Sequence, residues 1–234
     1  MFKIIIQARM NSQRFPGKSM FPIEGKPALG HILDSLLQGF NQDQIVVATS
    51  VPIENDPIRE YTLKRNIHCY SGDETNVASR FKEILEKSQT HYFFRICGDS
   101  PLLDYRILQK LQKDFLAEPN LDFVTTAIGK DYPAGFNVEL FQTEIFLKYY
   151  KSFSNPSYFE HVTKYFYENL SLFHYKNSHF ESELGKLCHF AFDTQEDLIR
   201  INKLFSALKR PHYEYTAQEK CEQYLKLELS EGIK

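Results

Sequence analysis

The chain has 234 residues, a formal net charge of −2, and ordinary proportions of apolar (42%) and charged (25%) side chains. Its length allows roughly 70% of the unfolded surface to be buried without disulfides, and its near-neutral charge argues against a protein that coats nucleic acid. Four cysteines without a C-x-x-C pair predict reduced thiols. No apolar run approaches the ~18 residues of a membrane span. Because residues 1–7 also lack a signal-peptide pattern, we expect a cytoplasmic protein with no membrane partner.

The first half of the chain alternates short apolar strands with helices. Runs of apolar residues predict buried strands at 2–7, 45–48, 67–70 and 92–96. Apolar spacing predicts helices at 29–36, about 56–66, 77–87 and 105–116. Asp56 is the predicted N-cap of the second helix, because proline follows at the first helical position. This order is typical of an α/β protein with a parallel sheet covered on both faces, whose ligand lies beyond the carboxyl ends of the strands.

The pattern changes after about residue 126. Strands are predicted at 137–141, 172–176 and 188–192, and helices at 159–169 and 194–205. Because regular crossover helices no longer separate the strands, we expect a smaller α+β lobe over about 127–234 that completes the site. The sequence has no repeat or linker, so we expect this lobe and residues 1–126 to form one domain.

The loop after the first strand is basic. Arg9, Arg14 and Lys18 place three cations within ten residues that contain no acid. They follow a strand and precede a helix, the usual place for phosphate in α/β proteins. Arginine and lysine bind phosphate oxygens, and Pro16 and Gly17 shape the backbone so that amides can face an anion. The loop matches neither the P-loop nor the dinucleotide-binding glycine pattern. It therefore indicates either a different phosphate site or a solvated basic surface.

Two aspartates follow predicted strands. Asp99 comes after the fourth strand of the first half, and Asp193 after the last predicted strand of the chain. Mg²⁺ prefers carboxylate oxygens together with phosphates and waters, so both are candidate ligands. The alternative for each is a helix N-cap: Asp99 before the helix after Pro101, and Asp193 in a capping-box pattern with Glu196.

Several motifs occur in order over most of the chain. They are Ile6-Gln7-Ala8-Arg9, Pro16-Gly17-Lys18, Gly25-Lys26-Pro27, Arg95-Ile96-Cys97-Gly98-Asp99-Ser100-Pro101-Leu102, Glu160-His161-Val162-Thr163 and Asp193-Thr194-Gln195-Glu196-Asp197-Leu198. With this set the chain resembles the cytidylyltransferases that activate acidic sugars as CMP-sugars, including the 3-deoxy-manno-octulosonate and acylneuraminate enzymes. Within that family it is most similar to the branch of spore coat polysaccharide biosynthesis protein F.

The resemblance implies a Rossmann-like nucleotide-diphospho-sugar transferase fold and a homodimer. It also implies transfer of CMP from CTP to a sugar acid or related acceptor, with release of pyrophosphate, in surface polysaccharide or glycan biosynthesis. Mg²⁺ is the implied cofactor, with Asp99 and Asp193 as its ligands. The implied catalytic residues are Arg9, Arg14, Lys18 and Asp99. The implied nucleotide-binding residues are Ala8, Arg9, Arg14, Lys18, Ser71, Gly72, Arg80 and Gly98. Glu139 and His161 match the acceptor side.

Other interpretations stay open at this point. A sugar-nucleotide-dependent glycosyltransferase would share a similar fold, although the Asp-x-Asp pair usual there is replaced by Asp99-Ser100-Pro101. A catalytically idle nucleotide-binding subunit would be favoured if either candidate metal carboxylate were missing. The aromatic segment 146–180 predicts either core packing or a homodimer interface. Few cations lie between its rings, which disfavours a stacking surface for nucleic acid.

Overall fold

The computed structural model describes residues 1–12 and 14–230. The strands are β1 (Phe2–Gln7), β2 (Pro22–Ile23), β3 (Lys26–Pro27), β4 (Ile45–Ser50), β5 (His68–Gly72), β6 (Tyr92–Cys97), β7 (Phe123–Thr125), β8 (Glu139–Gln142) and β9 (Tyr175–Asn177). The α-helices are α1 (Ala28–Leu36), α2 (Asp56–Lys64), α3 (Val77–Lys87), α4 (Tyr105–Ala117), α5 (Thr143–Tyr150), α6 (Pro156–Glu160), α7 (Lys164–Glu168), α8 (Gln195–Ala207) and α9 (Ala217–Ser230).

Seven of these strands form one sheet. Within the described residues its order is β5-β4-β1-β6-β8-β7-β9, and β2 pairs separately with β3. Strands β5, β4, β1 and β6 are parallel, and β8 runs antiparallel to both of its neighbours. The predicted α/β class with a mostly parallel sheet is therefore confirmed. Strands β7, β8 and β9 extend the sheet of the first half.

Apolar side chains cover both faces of the sheet. On β1, Ile4 and Ile6 belong to the core cluster that includes α1 and α4, whereas Ile5 belongs to the cluster that includes α3 and α5. All three isoleucines are fully buried, and each such burial stabilises the fold by about 1.5–3 kcal/mol. Since side chains cover both faces, we expect an open site at the ends of the strands rather than on a face of the sheet. No helix within 1–12 and 14–230 is long and apolar enough to cross a membrane.

The start of α2 differs from the prediction. Asn55 holds the N-cap position, and Asp56 is the first helical residue, where its carboxylate pairs with Arg59. The prediction of Asp56 as the cap is therefore wrong by one residue. The side chain of Asn55 is fully buried and bonds elsewhere, to the backbone amide of Met10.

The second half departs further from the prediction. The strand predicted at 188–192 is wrong, because this segment forms a single isolated bridge, between Ala134 and His189. The helix predicted at 159–169 is two short helices, α6 and α7, separated by residues 161–163. Hydrophobic patterning also missed β7, α5 and α9.

Candidate active site

The candidate site lies at the carboxyl ends of β1 and β6. Gln7 and Cys97 pair at the ends of these neighbouring strands, so the basic loop and the loop with Asp99 leave the sheet side by side. They enclose a cavity of about 340 Å³. It is lined by Gln7, Arg9, Ser12, Arg14, Lys18, Ser19, Cys97, Gly98, Asp99, Glu160 and His161. A larger groove of about 1080 Å³ borders residues around the start of β6, at the opposite end of that strand. The smaller cavity is lined by the three predicted cations and by Asp99.

The basic loop is held by its own backbone. Gly17 and Ser12 donate their amides to the carbonyl oxygen of Met10, at 2.7 and 2.9 Å. Gly17 has φ +76°, a left-handed conformation that favours glycine. The Met10 amide donates to Asn55 Oδ1 at 2.9 Å, which ties the loop to the end of β4. Asn55 is thus a positioning residue that sequence reasoning missed, because its bond to Met10 spans 45 positions and leaves no local sign in the sequence.

Lys18 lies between the two predicted metal ligands. Its Nζ is 2.5 Å from Asp99 Oδ2 and 2.7 Å from Asp193 Oδ1. Arg14 contacts the second oxygen of Asp193 at 3.0 Å. Burial alone would lower the pKa of Lys18, but the two carboxylates outweigh it and raise that pKa above its ordinary value. The structure therefore brings together residues that are up to 179 positions apart, and Lys18 remains charged.

Neither aspartate serves as a helix cap. The cap of α4 is Asp104, whose carboxylate accepts the Arg106 amide. The cap of α8 is Thr194, in a capping box with Asp197. The N-cap alternatives for Asp99 and Asp193 are therefore wrong, although a capping box does form one residue later, with Thr194 as the cap. Asp99 lines the cavity, and Asp193 is joined to the cavity wall through its contacts with Lys18 and Arg14.

Gly98 brings the two loops into contact. Its amide donates to the Gln7 carbonyl oxygen at 2.9 Å. A Cβ on Gly98 would lie 3.0 Å from both Ala8 Cβ and the Gln7 oxygen, and 3.2 Å from Ser19 Oγ. A larger side chain would push the basic loop away from Asp99, so Gly98 sets the spacing between them. Ala8 and Gly98 therefore lie where the two loops meet, in the walls of the candidate site.

Arg9 points to the opposite side of the cavity. Its guanidinium contacts Glu160 at 3.1 Å, and both side chains are partly exposed. His161 is exposed beside them and lines the same cavity. A smaller recess of about 70 Å³ continues from here to the buried Arg80. Glu160 is the partner of Arg9, although the sequence indicates it only as part of a motif.

Arg80 is fixed by backbone oxygens. It donates to the carbonyl oxygens of Asp73 and Glu74, at 2.6 and 2.8 Å. Burial and, to a smaller extent, repulsion from Arg9 lower the pKa of Arg80 to about 10. Gly72 lies against this side chain, since a Cβ there would be 3.0 Å from Arg80 Cγ. Ser71 is at the end of β5, 3.4 Å from Arg59.

Glu139 lies inside the protein rather than on the cavity wall. It is 2% exposed, and its two carboxylate oxygens each accept from Arg95 Nη1 at 2.9 Å. Thr163 and Tyr167 also donate to Oε1, at 3.1 and 3.0 Å. Burial alone would lower the pKa of Arg95, but Glu139 raises it above its ordinary value. With its oxygens engaged in this way, Glu139 is positioned to support the site rather than to touch an acceptor.

Asp99 and Asp193 offer carboxylate oxygens that a divalent cation could share. Among residues 1–12 and 14–230, no group of three or more His, Cys, Asp or Glu side chains could hold a metal ion. Two converging carboxylates nevertheless fit Mg²⁺, since this ion is commonly bound by one or two carboxylates plus substrate phosphates and waters. The protein therefore provides only part of such a coordination shell.

Residues 3–231 match the sequence model of a family described as cytidylyltransferase. The chain is 26% identical over 218 residues to spore coat polysaccharide biosynthesis protein SpsF of Bacillus subtilis, covering 88% of each protein. Its structure is similar to a cytidylyltransferase from Leptospira borgpetersenii, with TM-score 0.90 and 24% identity over 99% of this chain and 94% of that one. It is also similar to CMP:2-keto-3-deoxy-manno-octonic acid synthetase complexed with CTP, with TM-score 0.65 and 17% identity over 88% and 98% of the two chains.

Proposed function

Since the chain belongs to the cytidylyltransferase family, we propose that it transfers CMP from CTP to a sugar acid or related hydroxylated acceptor. The observation that carries the proposal is the meeting of Lys18, Arg14, Asp99 and Asp193 at one edge of the sheet. Cations that bind phosphate oxygens and carboxylates that suit a divalent ion are the groups a nucleoside triphosphate requires. A role in surface polysaccharide or glycan biosynthesis follows from the same proposal and from the relative in spore coat biosynthesis.

The proposed reaction is an in-line displacement at the α-phosphorus of CTP. An acceptor hydroxyl oxygen forms the new bond to phosphorus as its O–H bond breaks and the proton passes to solvent. The bond between the α-phosphorus and the oxygen that bridges to the β-phosphate breaks, and pyrophosphate leaves. Such transfers depend on positioning and charge neutralisation more than on a protein nucleophile. Arg9, Arg14 and Lys18 would bind the triphosphate oxygens. Mg²⁺ held by Asp99 and Asp193 would add Lewis-acid stabilisation of the phosphates.

The recess beside Arg80 is the proposed base subsite. Arg80 is rigid because two backbone carbonyls hold its guanidinium, and Ser71 and Gly72 lie on the neighbouring strand end. The backbone around Ala8 and Gly98 would border the nucleotide between base and phosphates. His161, exposed beside Arg9 and Glu160, is proposed to face the acceptor, with Glu139 acting through Thr163.

The assay is pyrophosphate release with CTP and Mg²⁺, alone and with a panel of sugar acids. Release that depends on one acceptor and favours CTP over the other three nucleotides supports the proposal. Lys18→Ala should remove most of this release, whereas the matched control Lys26→Ala should not, because Lys26 pairs with Asp34 away from the cavity. If a wild-type protein binds CTP but never releases pyrophosphate, the idle-subunit alternative is correct.

A cytoplasmic homodimer is the proposed working form. Several half-buried aromatic residues of the second half adjoin a buried phenylalanine cluster, among them Tyr149, Tyr158, Phe159 and Tyr165. Aromatic residues are enriched at interfaces, so this surface is the proposed contact. All four cysteines are free, as expected in a reducing compartment. Light scattering at micromolar concentration tests the dimer, and a monomer would contradict it.

A further inference from the structure

The ammonium group of Lys18 occupies the point where the two proposed metal ligands converge. One nitrogen atom is within hydrogen-bonding distance of an oxygen of Asp99 and an oxygen of Asp193. Arg14 contacts the remaining oxygen of Asp193. A divalent cation bridging these carboxylates would need the same oxygens, so Lys18 and the ion compete for them.

The Lys18 bridge is electrostatically favourable without any ligand. Two carboxylates that converge on one point repel each other, and a cation between them removes that repulsion. The Lys18 side chain is only 14% exposed, so its attraction to both acids is weakly screened by water.

The geometry points to an exchange of partners: Lys18 acts as a built-in counter-ion that blocks the carboxylates of the nucleotide-free protein, and it transfers to the triphosphate when CTP binds. This inference rests on the proposed function of the site. Transfer of the ammonium group would leave the oxygens of Asp99 and Asp193 available to hold Mg²⁺ together with the phosphate oxygens of the bound nucleotide. Metal affinity would then be low without nucleotide and high with it, and the coupling is reciprocal by thermodynamic linkage.

The test is a titration of the nucleotide-free protein with Mn²⁺. The electron paramagnetic resonance signal of free Mn²⁺ measures how much of the ion is bound. We expect Lys18→Met to bind Mn²⁺ at least about tenfold more tightly than the wild type, because no ammonium group competes for the oxygens. The control Lys26→Met removes a lysine that pairs with Asp34 instead, and it should match the wild type. Adding Asp193→Asn to Lys18→Met should abolish the gain.

Equal Mn²⁺ affinity of Lys18→Met and wild type would overturn the exchange, as would a gain that survives Asp193→Asn. Lys18→Gln, which keeps a neutral donor, replaces Lys18→Met if circular dichroism shows that the methionine variant is unfolded. The titration needs neither CTP nor acceptor, so its outcome is separate from that of the pyrophosphate assay. A gain in Mn²⁺ affinity beside an inactive wild type would support the blocked site and refute only the proposed function. The reverse result would refute the exchange alone.

Discussion

Removing the carboxylate of Glu139 should strongly destabilise the protein. The side chains of Glu139 and Arg95 are 3% and 14% exposed, and the carboxylate accepts from Arg95 through both oxygens at 2.9 Å. Thr163 and Tyr167 also lose their shared acceptor when it is removed. Deleting one partner of a buried ion pair leaves an uncompensated charge and typically costs about 3–5 kcal/mol. We therefore expect Glu139→Leu to lower the free energy of unfolding by about that amount.

Urea unfolding of a double-mutant series measures this cost. In Arg95→Met/Glu139→Leu both charges are gone, so the double variant should be more stable than Glu139→Leu alone. Glu144→Ala is the control, since Glu144 is an exposed residue of α5 near the end of β8, and its effect should stay within about 0.5 kcal/mol. A loss below about 1 kcal/mol for Glu139→Leu, or a double variant no more stable than it, would refute the assignment of a buried, mutually dependent pair.

Three further results are expected. Asp99→Ala and Lys18→Ala should each lower pyrophosphate release by at least about a hundredfold, the usual effect of removing one electrostatic donor, with an unchanged circular dichroism spectrum. Burial, then repulsion by Lys220, lowers the pKa of His212 to about 2 from 6.5. Between these pH values the unfolded chain binds the additional proton, so stability falls on acidification, by up to about 1.4 kcal/mol per pH unit. Chemical denaturation of His212→Phe should show a shallower fall. Burial likewise lowers the pKa of Lys220 to about 8 from 10.5. As pH rises, the folded protein therefore releases this proton at a lower pH than the unfolded chain does. Between pH 8 and 10.5 the free energy of unfolding of the wild type should increase relative to that of Lys220→Met.

The first half of the fold could be predicted because its signals are local. Three consecutive isoleucines give a buried strand, and α3 begins and ends at the predicted residues. Once parallel strands alternate with helices, the carboxyl-end rule places the basic loop and Asp99 at one edge. The strand and helix pattern thus predicts that Lys18 and Asp99 lie close together, although they are 81 positions apart in the sequence.

The second half could not be predicted in the same way because its structure depends on distant partners. Residues 188–192 look like a strand, yet the amides of Phe190 and Ala191 both donate to the single carbonyl oxygen of Ala134. Gly135 permits this approach, since a Cβ there would lie 2.4 Å from the Ala191 amide nitrogen. The apolar composition indicates that such a segment is buried. Its backbone hydrogen bonds, however, depend on a segment more than fifty residues away.

The role of Glu139 shows the same limit for side chains. Its position in an apolar strand gave no sign of its partners, because Arg95 comes from β6, and Thr163 and Tyr167 come from the start and the body of α7. Position after a predicted strand left Asp193 open as a metal ligand or a helix cap, and only the motif resemblance implied that it acts with Asp99. Residue chemistry thus identified the cations and acids of the site, but their partners required the assembled structure.

Those partners change how the charge of the basic segment is understood. Residues 1–26 carry five cationic side chains and one carboxylate, which on sequence alone indicates an open anion site. In the structure Arg9 faces Glu160, and Arg14 and Lys18 face Asp193 and Asp99. Arg9, Arg14 and Lys18 are therefore already paired with acids from distant segments, and a ligand that takes over these contacts has to replace those acids. Because every displaced contact has to be regained, we infer that a ligand with several phosphate groups is favoured over one with a single phosphate.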